Sequence, residues 1–70
     1  MDSVYIRETG SLIIYMPKEV DHHQAGMLRA QTDLLISMYH VRHLIFDFTD
    51  TEFMDSSGIG VLIGRYRNMN

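Results

Sequence analysis

Cysteine is absent from the 70 residues, which excludes disulfide staples and thiolate metal sites alike. Positive charge is scarce. Six Lys and Arg stand against nine Asp and Glu, for a formal net charge of −3. The basic residues form no stripe that could neutralise a phosphate backbone, which argues against direct nucleic-acid binding. No apolar run approaches the ~20 residues needed to cross a bilayer. The opening Met1-Asp2-Ser3 lacks the basic-then-apolar plan of a signal peptide. Repeats, linkers and low-complexity stretches are missing too. These absences together predict a cytoplasmic protein that works away from membranes.

What is present is the composition of a folded domain, 46% hydrophobic and 21% charged. A chain this short buries only roughly 60% of its unfolded surface, so every element has to contribute to the core. Val4-Tyr5-Ile6-Arg7-Glu8 and Ser11-Leu12-Ile13-Ile14-Tyr15-Met16 read as strands joined at Thr9-Gly10 into a hairpin. The second run is apolar almost throughout, as suits a strand buried on both faces. Pro17, the single proline, has no N–H for a ladder and marks that strand's end. Asp21 is a good helix N-cap. Beyond it Ala25, Leu28, Thr32, Leu35, Ile36 and Tyr39 draw one apolar stripe of about four turns. Gln24, Arg29, Gln31 and Asp33 are expected on the solvated side. Leu44-Ile45-Phe46-Asp47-Phe48 predicts a third strand, with Asp47 turned to a sheet end or a polar neighbour.

After Phe53-Met54, the segment Asp55-Ser56-Ser57-Gly58 is dense in turn and cap residues. Ile59, Leu62, Ile63 and Tyr66 then define a second helix whose last turns carry Arg65 and Arg67. The order is β-β-α-β-α. A helix between the second and third strands implies a parallel crossover, hence an α/β fold with a mixed β-sheet and helices packed on it. Asn68-Met69-Asn70 supplies neither a Gly cap nor a following strand, so the chain is expected to be truncated. At the turn itself, Ser56 sits at or beside a helix N-cap, where its oxygen can satisfy orphan N–H groups. Gly58 and Gly60 leave the first turn nearly bare, so another protein's backbone could approach. On local chemistry alone the simpler reading is preferred: a serine cap, with glycines for tight helix–sheet packing.

Phe53-Met54-Asp55-Ser56-Ser57-Gly58-Ile59-Gly60-Val61-Leu62 resembles the signature of STAS domains, named for sulphate transporters and anti-sigma-factor antagonists. Glu19-Val20-Asp21-His22-His23, opening the first helix, is similar to the Glu-Leu-Asp-His-His segment of the sporulation antagonists, and Gly64-Arg65-Tyr66 fits the same subfamily. Lys18 stands where that subfamily tends to have Gly. The resemblance covers essentially residues 1–70 and implies a partial STAS domain whose C-terminal strands and helices are missing. It implies a non-catalytic regulator of transcription in sporulation, without a cofactor. Such a protein binds an anti-sigma factor that is also a serine kinase, so that a sigma factor is released. It is switched off by phosphorylation of Ser56 and reset by a phosphatase acting on phospho-Ser56. The implied partner-binding residues are Asp21, His22, Asp55, Ser56, Ser57, Gly58, Ile59 and Gly60.

Other chemistries fit less well. Another STAS role, as a signalling scaffold, is the alternative within the fold; a small nucleotide-binding module is the alternative outside it. Gly58-x-Gly60-x-x-x-Gly64 has Ile63 where the dinucleotide fingerprint needs Gly or Ala. His22 and His23 point about 100° apart on a helix, a poor start for chelation, and His40 and His43 flank a loop into a strand. A nucleophile elbow needs Gly two residues before its serine, and Met54 is there.

Overall fold

The computed structural model describes residues 2–56, 58 and 60. Strands β1 (Ser3–Ile6) and β2 (Ser11–Tyr15) form the expected hairpin, antiparallel with Val4 opposite Ile13 and Tyr5 opposite Leu12. The turn between them needs its glycine, because Gly10 has φ +68°, a left-handed conformation that side chains resist. The space where a Cβ would stand is filled by the Arg42 stem. The Gly10 carbonyl also accepts the Arg42 and His43 N–H groups at 2.7 and 3.1 Å, which ties the hairpin to the next strand of the sheet.

Strand β3 (Glu19–Val20) precedes helix α1 (His22–Met38), and β4 (His43–Asp47) follows it. As the crossover requires, β4 is parallel to β2, with Leu12 opposite Leu44 and Ile14 opposite Phe46. The sheet order is β1-β2-β4, a mixed sheet in a mixed α/β fold. The strand begins and ends one residue earlier than its apolar run. Asp47 closes it by turning back on the following loop, where it accepts from the Thr49 backbone N–H at 2.8 Å and from the Thr49 hydroxyl.

Asp21 caps α1 as expected, its carboxylate accepting the Gln24 N–H at 2.9 Å. Ala25, Leu28 and Thr32 are buried, and Leu35 and Ile36 pack half-buried beside them. They meet Leu12, Ile14 and Met16 from β2 and Val20 from β3. Burying one such aliphatic side chain is worth about 1.5–3 kcal/mol.

The structure corrects the sequence reading at several points. Tyr39 does not extend the stripe. It is the C-cap in extended conformation, and its ring stacks on Tyr5 with centroids 4.6 Å apart. Tyr5 also donates its hydroxyl to the His40 carbonyl at 2.6 Å, so β1 holds the far end of α1. Gln24 and Asp33 are half-buried, while Arg29 and Gln31 are exposed. Along β2 Ser11, Leu12 and Ile14 are buried, with Ile13 half-buried and Tyr15 exposed.

The largest departure is a second sheet. Glu19–Val20 does not open the helix but forms β3, which pairs in parallel with β5 (Phe53–Met54). Two-residue strands carry too little periodicity to be read from sequence. Residues 56, 58 and 60 are helical. The rest of the expected second helix, with Leu62, Ile63, Tyr66, Arg65 and Arg67, lies outside the described residues.

Candidate functional site

Parallel pairing of β3 with β5 sets Glu19 opposite Phe53 and Val20 opposite Met54. The next residues along each strand are Asp21 and Asp55. Two segments 34 residues apart in the chain thus deliver two carboxylates to one end of the fold, one capping α1 and the other leading into Ser56. The Asp55 N–H donates to the Val20 carbonyl at 3.2 Å, and the Gly58 N–H donates to the Asp55 carbonyl at 3.1 Å. Ser56 opens the helical turn and is exposed.

The two glycines of the motif part company. Gly58 is buried, and a Cβ there would stand 2.5 Å from Met54 Cγ, 2.8 Å from Met54 Sδ and 2.9 Å from Val20 Cγ1. Its missing side chain lets the turn sit on the small sheet, so the packing role applies here and the expected bare surface does not. Gly60 is exposed with nothing within 4 Å of a built Cβ. Bareness towards a visitor is therefore a property of Gly60. Ser57 and Ile59 lie outside the described residues.

His22 and His23 are exposed on the first turn of α1. Among the described residues no three potential metal ligands converge, and no helix is long and apolar enough to cross a membrane. Acidic residues are dense along the paired segments: Glu19, Asp21, Glu52 and Asp55 lie in or directly next to them, with Lys18 among them. Nearby, at the end of β4, the Thr49 hydroxyl and then its backbone N–H hold the Asp47 carboxyl below its ordinary value, against a smaller opposing effect of burial.

Sequence reasoning missed how the motif is fastened. Thr51 donates its hydroxyl to the Pro17 carbonyl at 2.8 Å, and the Glu52 and Phe53 N–H groups both reach the Lys18 carbonyl, at 2.8 and 3.2 Å. A threonine in a polar loop gives no sign of this, and backbone acceptors have no signature at all.

A mixed sheet, a crossover helix capped by an aspartate, and an exposed serine opening a turn over a buried glycine together define a class. The STAS-domain profile matches residues 3–70, and the chain belongs to that family. It is 41% identical over 61 residues to an anti-sigma F factor antagonist of Paenibacillus polymyxa, across 87% of this chain and 52% of the relative. It is 36% identical over 63 residues to the antagonist of the same name from Lysinibacillus sphaericus, across 90% and 52%. The chain thus spans about half the length of the curated relatives it matches. It superposes on the unphosphorylated form of the anti-sigma factor antagonist SpoIIAA with a TM-score of 0.78 at 31% identity, over 97% of this chain and 61% of that one. On the phosphorylated form of SpoIIAA, a Bacillus cell fate determinant, the TM-score is 0.77 at 31% identity, over 97% and 60%.

Proposed function

We propose that this chain forms the switch region of an anti-sigma-factor antagonist. Unphosphorylated, it binds an anti-sigma factor in the cytoplasm and so frees a sigma factor; with phosphate on Ser56 it lets go. The chain does no catalysis in this scheme. The partner, acting as a serine kinase, transfers the phosphoryl group of its ATP to the Ser56 hydroxyl, and a separate phosphatase removes it. Asp21, His22, Asp55 and Gly60 form the surrounding contact surface, with Ser57 and Ile59 as sequence neighbours in the same role.

One observation carries this reading. Ser56 is an exposed hydroxyl at the start of a helical turn, directly after Asp55 and at the end where Asp21 caps α1. Phosphorylation adds roughly −1.5 to −2 charges there. The helix dipole favours an anion at that position, whereas Asp55 repels it, so the fold itself has little reason to change. The near-equal superposition on the two forms of SpoIIAA, 0.78 and 0.77, supports a switch that leaves the fold in place. The cost falls on the interface instead. One like-charge contact at ~4 Å costs about 4 kcal/mol at an effective dielectric of 20, which is a several-hundred-fold loss of affinity.

The test is phosphosite mapping by mass spectrometry after incubation with an anti-sigma F factor and ATP. Phosphate is expected on Ser56, to be lost in Ser56→Ala and kept in Ser57→Ala. Phosphate on Ser57, or on neither serine, contradicts the assignment.

A further inference from the structure

The segment that presents Ser56 is anchored on residues 17–20. Besides the ladder bond within the β3–β5 pair, the Thr51 hydroxyl and the N–H groups of Glu52, Phe53 and Asp55 donate across to residues 17–20. Two of them share the Lys18 carbonyl, and the Phe53 and Asp55 bonds are long, at 3.2 Å each. The Thr51–Pro17 bond is short at 2.8 Å, partly buried, and comes from a side chain. The Lys18–Glu52 ion pair beside it spans 3.7 Å between side chains 71% and 69% exposed, so solvent screening leaves it little to contribute.

Thr51 is suited to this place on three grounds. Its own N–H is already given to the Phe48 carbonyl at 3.0 Å, so the hydroxyl is the donor that remains. Pro17 has no N–H and offers the ladder an acceptor alone. Threonine's β-branching restricts χ1, which fixes the hydroxyl's direction at low entropic cost. We propose that Thr51 is a positioning residue: its hydroxyl on the Pro17 carbonyl sets the register of β5 on β3, and through it the placement of Asp55 and Ser56 beside the Asp21 cap. Met54 reports the same register, because its side chain lies against Gly58. This inference rests on the reading of Ser56 as the phosphorylated serine.

The experiment measures two things on Thr51→Val and Thr51→Ser. The first is steady-state phosphorylation by a purified anti-sigma F factor with ATP. A lost net hydrogen bond predicts a KM raised about threefold to tenfold in Thr51→Val, with kcat little changed and recovery in Thr51→Ser. The second is amide hydrogen exchange. In Thr51→Val the Phe53, Asp55 and Gly58 amides should exchange faster while those of the middle of α1 do not, a local pattern that uniform destabilisation would not produce. Thr51→Ala carries the same expectation should valine fail to fold. Unchanged exchange at residues 53–58, or acceleration that is equal throughout α1, overturns the positioning role. Should the wild type not be phosphorylated at Ser56, the switch assignment falls, and the exchange pattern still decides the role of Thr51.

Discussion

In the three-stranded sheet, β2 lies between two partners and buries Leu12 and Ile14 against the stripe of α1. The two-stranded sheet pairs Glu19–Val20 with Phe53–Met54 and buries one hydrophobic side chain, Val20, while Phe53 remains 54% exposed. The first is held by apolar area, the second largely by hydrogen bonds between its two segments. Apolar burial is non-directional and forgiving in detail; hydrogen bonds fix register and are sensitive to single atoms. The site therefore sits on the part of the fold where placement is most specified and stability least invested. Local opening of such a region is possible without loss of the core.

Substitutions can test that division. The largest effect is expected in the three-stranded sheet, where Ile14 is 0% exposed. Ile14→Ala should lower the unfolding free energy by about 2–5 kcal/mol, measured by urea titration. A loss no larger than that of a site-end variant would break the contrast between the sheets. Gly58→Ala comes next. Met54 can swing its thioether away from the new methyl group, but the branched, fully buried Val20 cannot. A cost of about 1–3 kcal/mol is expected, together with weaker partner binding as the turn lifts off the small sheet. Full affinity in Gly58→Ala would separate the seating of the turn from recognition.

Asp21→Ala should cost about 1 kcal/mol through the N–H of Gln24, left without its cap. Unchanged stability with lost binding would make Asp21 a contact and nothing more. The smallest effect is that of Asp47. Its folded carboxyl titrates below the ordinary 3.8 because Thr49 donates to it. Its stabilisation is therefore fully present above that value and is lost as pH falls through the folded pKa. An NMR titration of Thr49→Val should move the Asp47 midpoint up towards 3.8.

Much of this was legible in the residues. The hairpin and the Asp21 cap follow from local pattern, because each depends on neighbours within a few positions, and the parallel crossover follows from the strand–helix–strand order. The apolar stripe of α1 is right from Ala25 to Ile36 and fails at Tyr39, where a long-range stack on Tyr5 replaces helix continuation. The small sheet was hidden because its strands are two residues each and its hydrogen bonds join positions 34 residues apart, as Thr51 and Pro17 show. Ser56 and Asp21 could be named singly from the motifs. That β3 and β5 bring their segments side by side could not, and neither could the division of labour between Gly58 and Gly60, which depends on where Val20 and Met54 lie.

The proposed switch places the effect of a charge on Ser56 at the interface and not in the fold. Its most direct test is to titrate an anti-sigma F factor with the wild type, Ser56→Ala and Ser56→Asp by calorimetry, alongside urea unfolding of each. Equal unfolding midpoints are expected for all three, with tight binding by the wild type and Ser56→Ala and a several-hundred-fold loss of affinity in Ser56→Asp. Wild-type affinity in Ser56→Asp, or a loss of affinity that merely follows a loss of stability, would contradict it.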